Sequence, residues 1–135
     1  MRPFATAFAW MQQMQVIDEY TRATAIDDEA LIDVSEPAKE AGLKHATAVT
    51  AAVWGKYIAV PPGVSGQDEA GRLWDILWML RCAIARCNSQ GPNLMYPLYV
   101  ANLPDKPAEL IELKANCGPG DEMEPVLTIM LPSED

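Results

Sequence analysis

Between Gln67 and Cys87 the residues Leu73, Ile76, Leu77, Leu80, Ile84 and Cys87 return with the period of a helix. Trp74 and Trp78 flank this stripe one turn apart, with Arg81 projecting between them, and the polar face of Asp75 and Arg86 around Cys82 is narrow. A helix that is apolar around most of its circumference must be covered on more than one side. It therefore lies at the centre of its domain, or a second copy of the chain supplies the cover. The 135 residues suffice for one continuous core, so one domain spanning 1–135 is expected.

After "NSQGPN" the period changes. "LMYPLYVAN" reads as a strand that Pro97 confines to an edge or a bulge. "ELIELKANC" alternates, with Ile111, Leu113, Ala115 and Cys117 on one face and Glu112, Lys114 and Asn116 on the other, the pattern of a half-buried strand. "VLTIML" closes a hairpin through the turn at 118–125. Helices in one run and strands in another predict an α+β fold. In it, N-terminal helices, including the long one at about 67–87, pack on a small C-terminal antiparallel sheet.

The first half reads as helices. Residues 4–16 are rich in Ala, Met and Gln and suit a helix; a short helix over 18–28 and an extended piece over 30–34 follow. Ser35 is placed to cap a helix with Glu36 and Pro37 in its first turn and Gly42 beyond its end. Thr47 is placed to cap the next, "AVTAAVWGKYIAV", which sets Val49, Val53, Tyr57 and Val60 on one face until Pro61 and Pro62 stop it.

Composition limits what such a domain does. Its 19 acidic and 10 basic residues give a net charge of −9, the opposite of what counterion release at a phosphate backbone needs, so no direct nucleic-acid contact is expected. Residues 67–135 hold eleven of the acidic groups and five of the basic ones. A partner with a basic surface fits this balance. Three cysteines without a Cys-x-x-Cys pair, and one histidine, predict neither a structural metal site nor a cofactor, and fit a reducing cytoplasm. No apolar run reaches the length of a membrane helix, and the N-terminal run is too short and too soon followed by glutamines for a secretory signal.

Four groups of residues invite a functional reading. Asp121, Glu122 and Glu124 crowd the hairpin turn; they lack the spacing of a calcium loop and read as a solvated tip or a partner-facing surface. Tyr20 and Arg22, with Asp27 and Asp28 nearby, form the densest polar cluster of the first half, suited to a cationic or phosphate-bearing group or to local salt bridges. Trp74, Trp78 and Arg81 combine the residue types that anchor interfaces, in a setting that core packing with a cation–π contact also explains. His45, and Ser35 with Lys39, are the remaining candidates for chemistry. His45 has no sequence neighbour to act with, and Ser35–Lys39 misses the Ser-x-x-Lys spacing, so no catalytic residue is assigned.

The blocks "YTRATAIDDEALIDVSEPAKEAG", "AVTAAVW", "GQDEAGRLWDILWMLRCAI" and "ELKANCGPGDEMEPVLTIMLPSED" resemble a bacterial family of unknown function carried by plasmids, prophages and phages, over Tyr20 to Asp135. The resemblance implies a mobile-element setting in a bacterial host cytoplasm and supplies no catalytic residues. By analogy with small acidic counter-defence proteins, such as anti-CRISPR and anti-restriction inhibitors, it implies a binder of a host protein's basic nucleic-acid groove. The alternatives are a small carboxylate-dependent enzyme helped by Arg22 and His45, and a homodimeric structural or regulatory protein.

Overall fold

The computed structural model describes residues 21–87 and 91–134. The predicted helix over 4–16 and Tyr20 lie outside the described residues. The chain forms α1 (Arg22–Asp27), β1 (Leu31–Asp33), α2 (Ser35–Glu40), β2 (Ala46–Thr50), α3 (Ala51–Val53), which runs into a π-helical turn at Trp54–Ile58, then α4 (Glu69–Arg86), β3 (Asn93–Val100), β4 (Glu109–Pro119) and β5 (Pro125–Met130). The strands make one five-stranded sheet in the order β1-β2-β5-β4-β3. α4 packs on one face of it, so the fold is α+β as expected.

The C-terminal half follows its sequence pattern. β3, β4 and β5 form an antiparallel meander, and β3 is an edge strand, as Pro97 requires. Tyr96, Leu98, Leu113 and Ala115 point inward to the core with Leu127 and Ile129. The Tyr96 hydroxyl donates to the Ile76 carbonyl of α4 (3.2 Å), and burial raises its phenol pKa far above the ordinary value, so it stays neutral. Cys117 keeps the register of this face, opposite Leu127, but is exposed near the end of β4.

Two expectations for the first half are corrected. Thr47 does not cap a helix. Residues 46–50 are a central strand, paired antiparallel with β1 and parallel with β5, so the sheet is mixed rather than antiparallel and strands precede residue 88. The Ala and Thr side chains of "ATAVT" are small enough for both faces of this strand to be covered, and Thr47, Ala48 and Val49 are all buried. The helix begins at Ala51 instead, with the Thr50 hydroxyl accepting from the Val53 N–H (3.2 Å). Of the face expected for Val49, Val53, Tyr57 and Val60, the first three are buried in the core, Val49 reaching it from β2, and Val60 is only partly buried beyond the helical turn.

Ser35, likewise, does not cap α2. It is the first helical residue, and its hydroxyl is held by the Asp33 carboxylate (2.6 Å) while accepting from the Thr47 N–H (3.0 Å). It ties the helix start to β2 rather than closing the helix end. Gly42 follows α2 with φ of +100°, as a helix-terminating glycine should.

In α4 the inner face is Leu73, Ile76, Leu77 and Leu80, and Leu77 and Leu80 are fully buried. Asp68 caps its start, accepting from the Gly71 N–H (2.7 Å). The predicted stripe continues to Ile84, but Ile84 is 44 % exposed. The helix outruns the layer beneath it, so its last turn keeps the periodicity without a partner.

Candidate functional site

On the outer side of α4, Trp74 and Trp78 remain 39 % and 41 % exposed, and their rings stack nearly parallel, 5.9 Å between centroids with a 12° tilt. The Arg81 guanidinium lies 5.1 Å from the Trp78 ring centroid. The other side of the Arg81 stem lies against Gly42, where any side chain would occupy the same space. The three predicted residues are thus brought together as a ladder of planar groups on a rigid helix. The buried apolar residues of α4 are Leu73, Ile76, Leu77 and Leu80, on the face turned to the sheet, so the tryptophans lie to the side of its core.

The other two predicted groups meet each other. The Asp121 carboxylate accepts from the backbone N–H groups of Arg22 (2.8 Å) and Ala23 (2.9 Å), capping α1 from the β4–β5 turn. The Arg22 guanidinium donates to the Thr128 hydroxyl (2.7 Å) and the Leu127 carbonyl (2.8 Å). Burial lowers its pKa, and the carboxylates of Asp33, Asp121 and Glu124 oppose that shift. Its electrostatic neighbours are therefore Asp33 and the hairpin turn. Asp27 and Asp28 sit exposed at the far end of α1. Glu124 folds back over Gly120 and accepts from the Glu122 N–H (3.0 Å), leaving Glu122 exposed. Because Thr128 alternates with the inward-facing Leu127 and Ile129, this cluster occupies the sheet face opposite α4.

A feature the sequence reading passed over lies at the start of α4. Arg72 is buried, and its guanidinium donates to the carbonyls of Tyr57 (2.9 Å) and Ala101 (2.8 Å) and to the side-chain oxygens of Gln67 (2.8 Å) and Asn102 (2.5 Å). All four acceptors are neutral. Desolvation lowers its pKa, and no carboxylate counters this. It ties the π-helical turn, α4 and the end of β3 together. It was legible as a charge four residues before Ile76, on the apolar side of the helix. Beside it opens a cleft of about 740 Å³, walled by the first half of α4 and by residues 98–101 of the β3 edge, with Trp74, Asp68 and Asp75 at its sides.

The remaining candidates gain no partners suited to catalysis. His45 is exposed, and its carbonyl accepts from the Thr47 hydroxyl (2.9 Å). Lys39 pairs with Glu36 (4.0 Å), not with Ser35. Among the described residues no three His, Cys, Asp or Glu side chains gather as they would around a metal ion, and no helix is long and apolar enough to cross a membrane.

A family model described as a family of unknown function, DUF6573, matches residues 8–135, and the chain belongs to that family. No curated protein and no solved structure matches it.

Proposed function

We propose that this member of the family works by binding another protein, one with a basic surface, through the α4 ridge of Trp74, Trp78 and Arg81. The observation that carries the reading is the ladder itself: two stacked indoles left about two-fifths exposed, with an arginine fixed beside them. Tryptophan and arginine dominate interface energetics when a partner covers them, and side chains already held in place lose little freedom on contact. Charge supports a basic partner. A single ion pair, Lys39–Glu36, joins described residues, and Asp75, next to Trp74 in the chain and exposed, has none among them.

Within this reading, the finer proposal is a counter-defence inhibitor of the anti-CRISPR or anti-restriction type, carried on a mobile element and acting in a bacterial host cytoplasm, that covers a nucleic-acid-binding groove. It rests on the acidic balance and on analogy. A carboxylate-dependent enzyme is disfavoured because both oxygens of the Asp121 carboxylate are spent on capping α1.

The test is affinity capture from a bacterial lysate with the parent chain and with Trp78→Ala. The parent should retain a basic protein that added DNA or RNA displaces. Trp78→Ala should retain its fold by circular dichroism and lose the protein. Equal capture by both chains would remove the ridge from the reading, and a captured protein indifferent to nucleic acid would remove the inhibitor proposal. A dimer by light scattering that Trp78→Ala converts to monomer would make a second copy the partner.

A further inference from the structure

The cleft beside Arg72 exposes one end of a sheet edge, and the hydrogen-bond parity of β3 shows which groups face it. The Cys117 N–H donates to the Pro92 carbonyl (2.8 Å), so residues 92 and 117 form a hydrogen-bonded pair. The register from Asn93↔Asn116 to Val100↔Glu109 runs without a bulge. Bonded pairs therefore recur at Leu94, Tyr96, Leu98 and Val100, and the main-chain groups of Asn93, Met95, Pro97 and Tyr99 point away from β4 to the free edge. Ala101, two residues past Tyr99, agrees with this parity: its carbonyl is taken by Arg72 from α4. Arg72 thus stands where the next strand would bond.

Pro97 offers no N–H to that edge, which stops long, unselective pairing along β3. The edge donor left in the cleft is Tyr99, between the Pro97 break and the Arg72 stop. The opposite sheet edge, β1, is only three residues long. The Trp74 ring, Asp68 and Asp75 line the same cleft.

We infer that this cleft is a strand-addition site. It receives a short extended segment of the partner chain, which bonds to the main chain of Tyr99 and places a basic side chain against Trp74 between Asp68 and Asp75. Main-chain bonds to an exposed edge supply affinity in this mode, and flanking pockets supply specificity. Asp75 and the Asp68 oxygen not used in capping α4 together outweigh the Arg72 charge that lines the same cleft and favour a cation, and the Trp74 wall offers a cation–π surface continuous with the ladder. The inference rests on the proposed protein-binding function and names the chemistry of what enters.

The experiment uses the full ¹⁵N-labelled chain and two capped degenerate peptide pools, Ac-Xaa-Val-Arg-Val-Xaa-NH₂ and the same pool with Glu for Arg. Hydrogen exchange of the free protein should show Leu98 and Val100 amides protected and Tyr99 exposed. The arginine pool should shift the Tyr99 amide and Trp74 indole resonances and slow Tyr99 exchange, and the glutamate pool should not. Tyr99→Pro removes the edge donor while breaking no bond to β4. It should melt close to the parent yet bind the arginine pool about tenfold more weakly, the scale of a lost main-chain hydrogen bond. Leu98→Pro, at a ladder position, should instead unfold the edge.

A protected Tyr99 amide in the free protein, or no Tyr99 shift at saturating arginine pool, overturns the strand-addition site. If Trp78→Ala still abolishes partner capture in that case, the ridge reading stands without it. If Trp78→Ala leaves capture intact while Tyr99 responds, the ridge reading fails and the cleft alone remains.

Discussion

The acidic hairpin turn and the α4 ridge look alike in the sequence, each a cluster of interface-competent side chains, and the fold treats them oppositely. Asp121 spends both carboxylate oxygens on the first N–H groups of α1. Arg22 spends its guanidinium on β5. Trp74, Trp78 and Arg81 stack on one another and keep part of their surface exposed to solvent. Polar groups are drawn into the fold where unsatisfied helix ends or carbonyls await them, and α1, six residues long, has such an end without a neighbour in sequence to close it fully. What a cluster can offer a partner is therefore what the fold has not already consumed.

The deepest layer of that contrast lies within α4 itself. Leu77→Ala should destabilise by about 2–5 kcal/mol, because Leu77 is fully buried and its removal opens a cavity between α4 and the sheet. Chemical denaturation measures it. A loss near that of a surface position would mean that α4 is not held by its inner face, and the distinction between its two faces would collapse.

Arg72→Met keeps much of the apolar stem but strips donors from the Tyr57 and Ala101 carbonyls. A loss of about 2–3 kcal/mol is expected for those unsatisfied acceptors. Hydrogen exchange should localise the loosening to the π-helical turn and the end of β3. Should exchange rise uniformly instead, Arg72 is not the tie between these segments.

Asp121→Ala removes a helix cap that comes from the other end of the chain, and about 1 kcal/mol is expected in equilibrium unfolding. Glu122→Gln, at an exposed side chain with no partner among the described residues, should stay within about 0.5 kcal/mol of the parent. Equal effects from the two would return the whole turn to solvent and make it again available as a steering surface.

The legible parts of this molecule are those whose cause is local. α4 and β4 carry their periods in consecutive residues, and Pro97 states its own edge position. β2 is not legible because "ATAVTAAVW" has the small and β-branched residues that either element accepts, and its state is decided by parallel pairing with β5, whose residues lie at the other end of the chain. The Asp121–Arg22 contact spans a sequence separation of 99. Neither residue carries a local mark that would pair it with the other. Arg72 did carry one, a cation in line with Ile76, which an apolar stripe alone does not explain. The proximity of Trp74, Trp78 and Arg81 is legible in their spacing, but only packing shows that their outer surfaces stay uncovered.

A small expected change in stability belongs to the ridge, and it is the most informative. Arg81 lies between the Trp78 ring and the bare backbone of Gly42, exposed and without an ion pair among the described residues. Removing its charge with Arg81→Gln forfeits a cation–π contact at an exposed site, a loss of about 0.5 kcal/mol in unfolding. In partner binding the same substitution should matter more, because a covered contact is desolvated and a fixed cation there is harder to replace; about a tenfold loss of affinity is expected. Asp121→Ala should behave in the reverse sense, costing more in stability and leaving affinity nearly unchanged. Measuring both quantities on both variants separates what the fold consumes from what it leaves available. If affinity instead falls in proportion to stability in each, the ridge has no privileged role, and the indoles are only the uncovered side of a core helix.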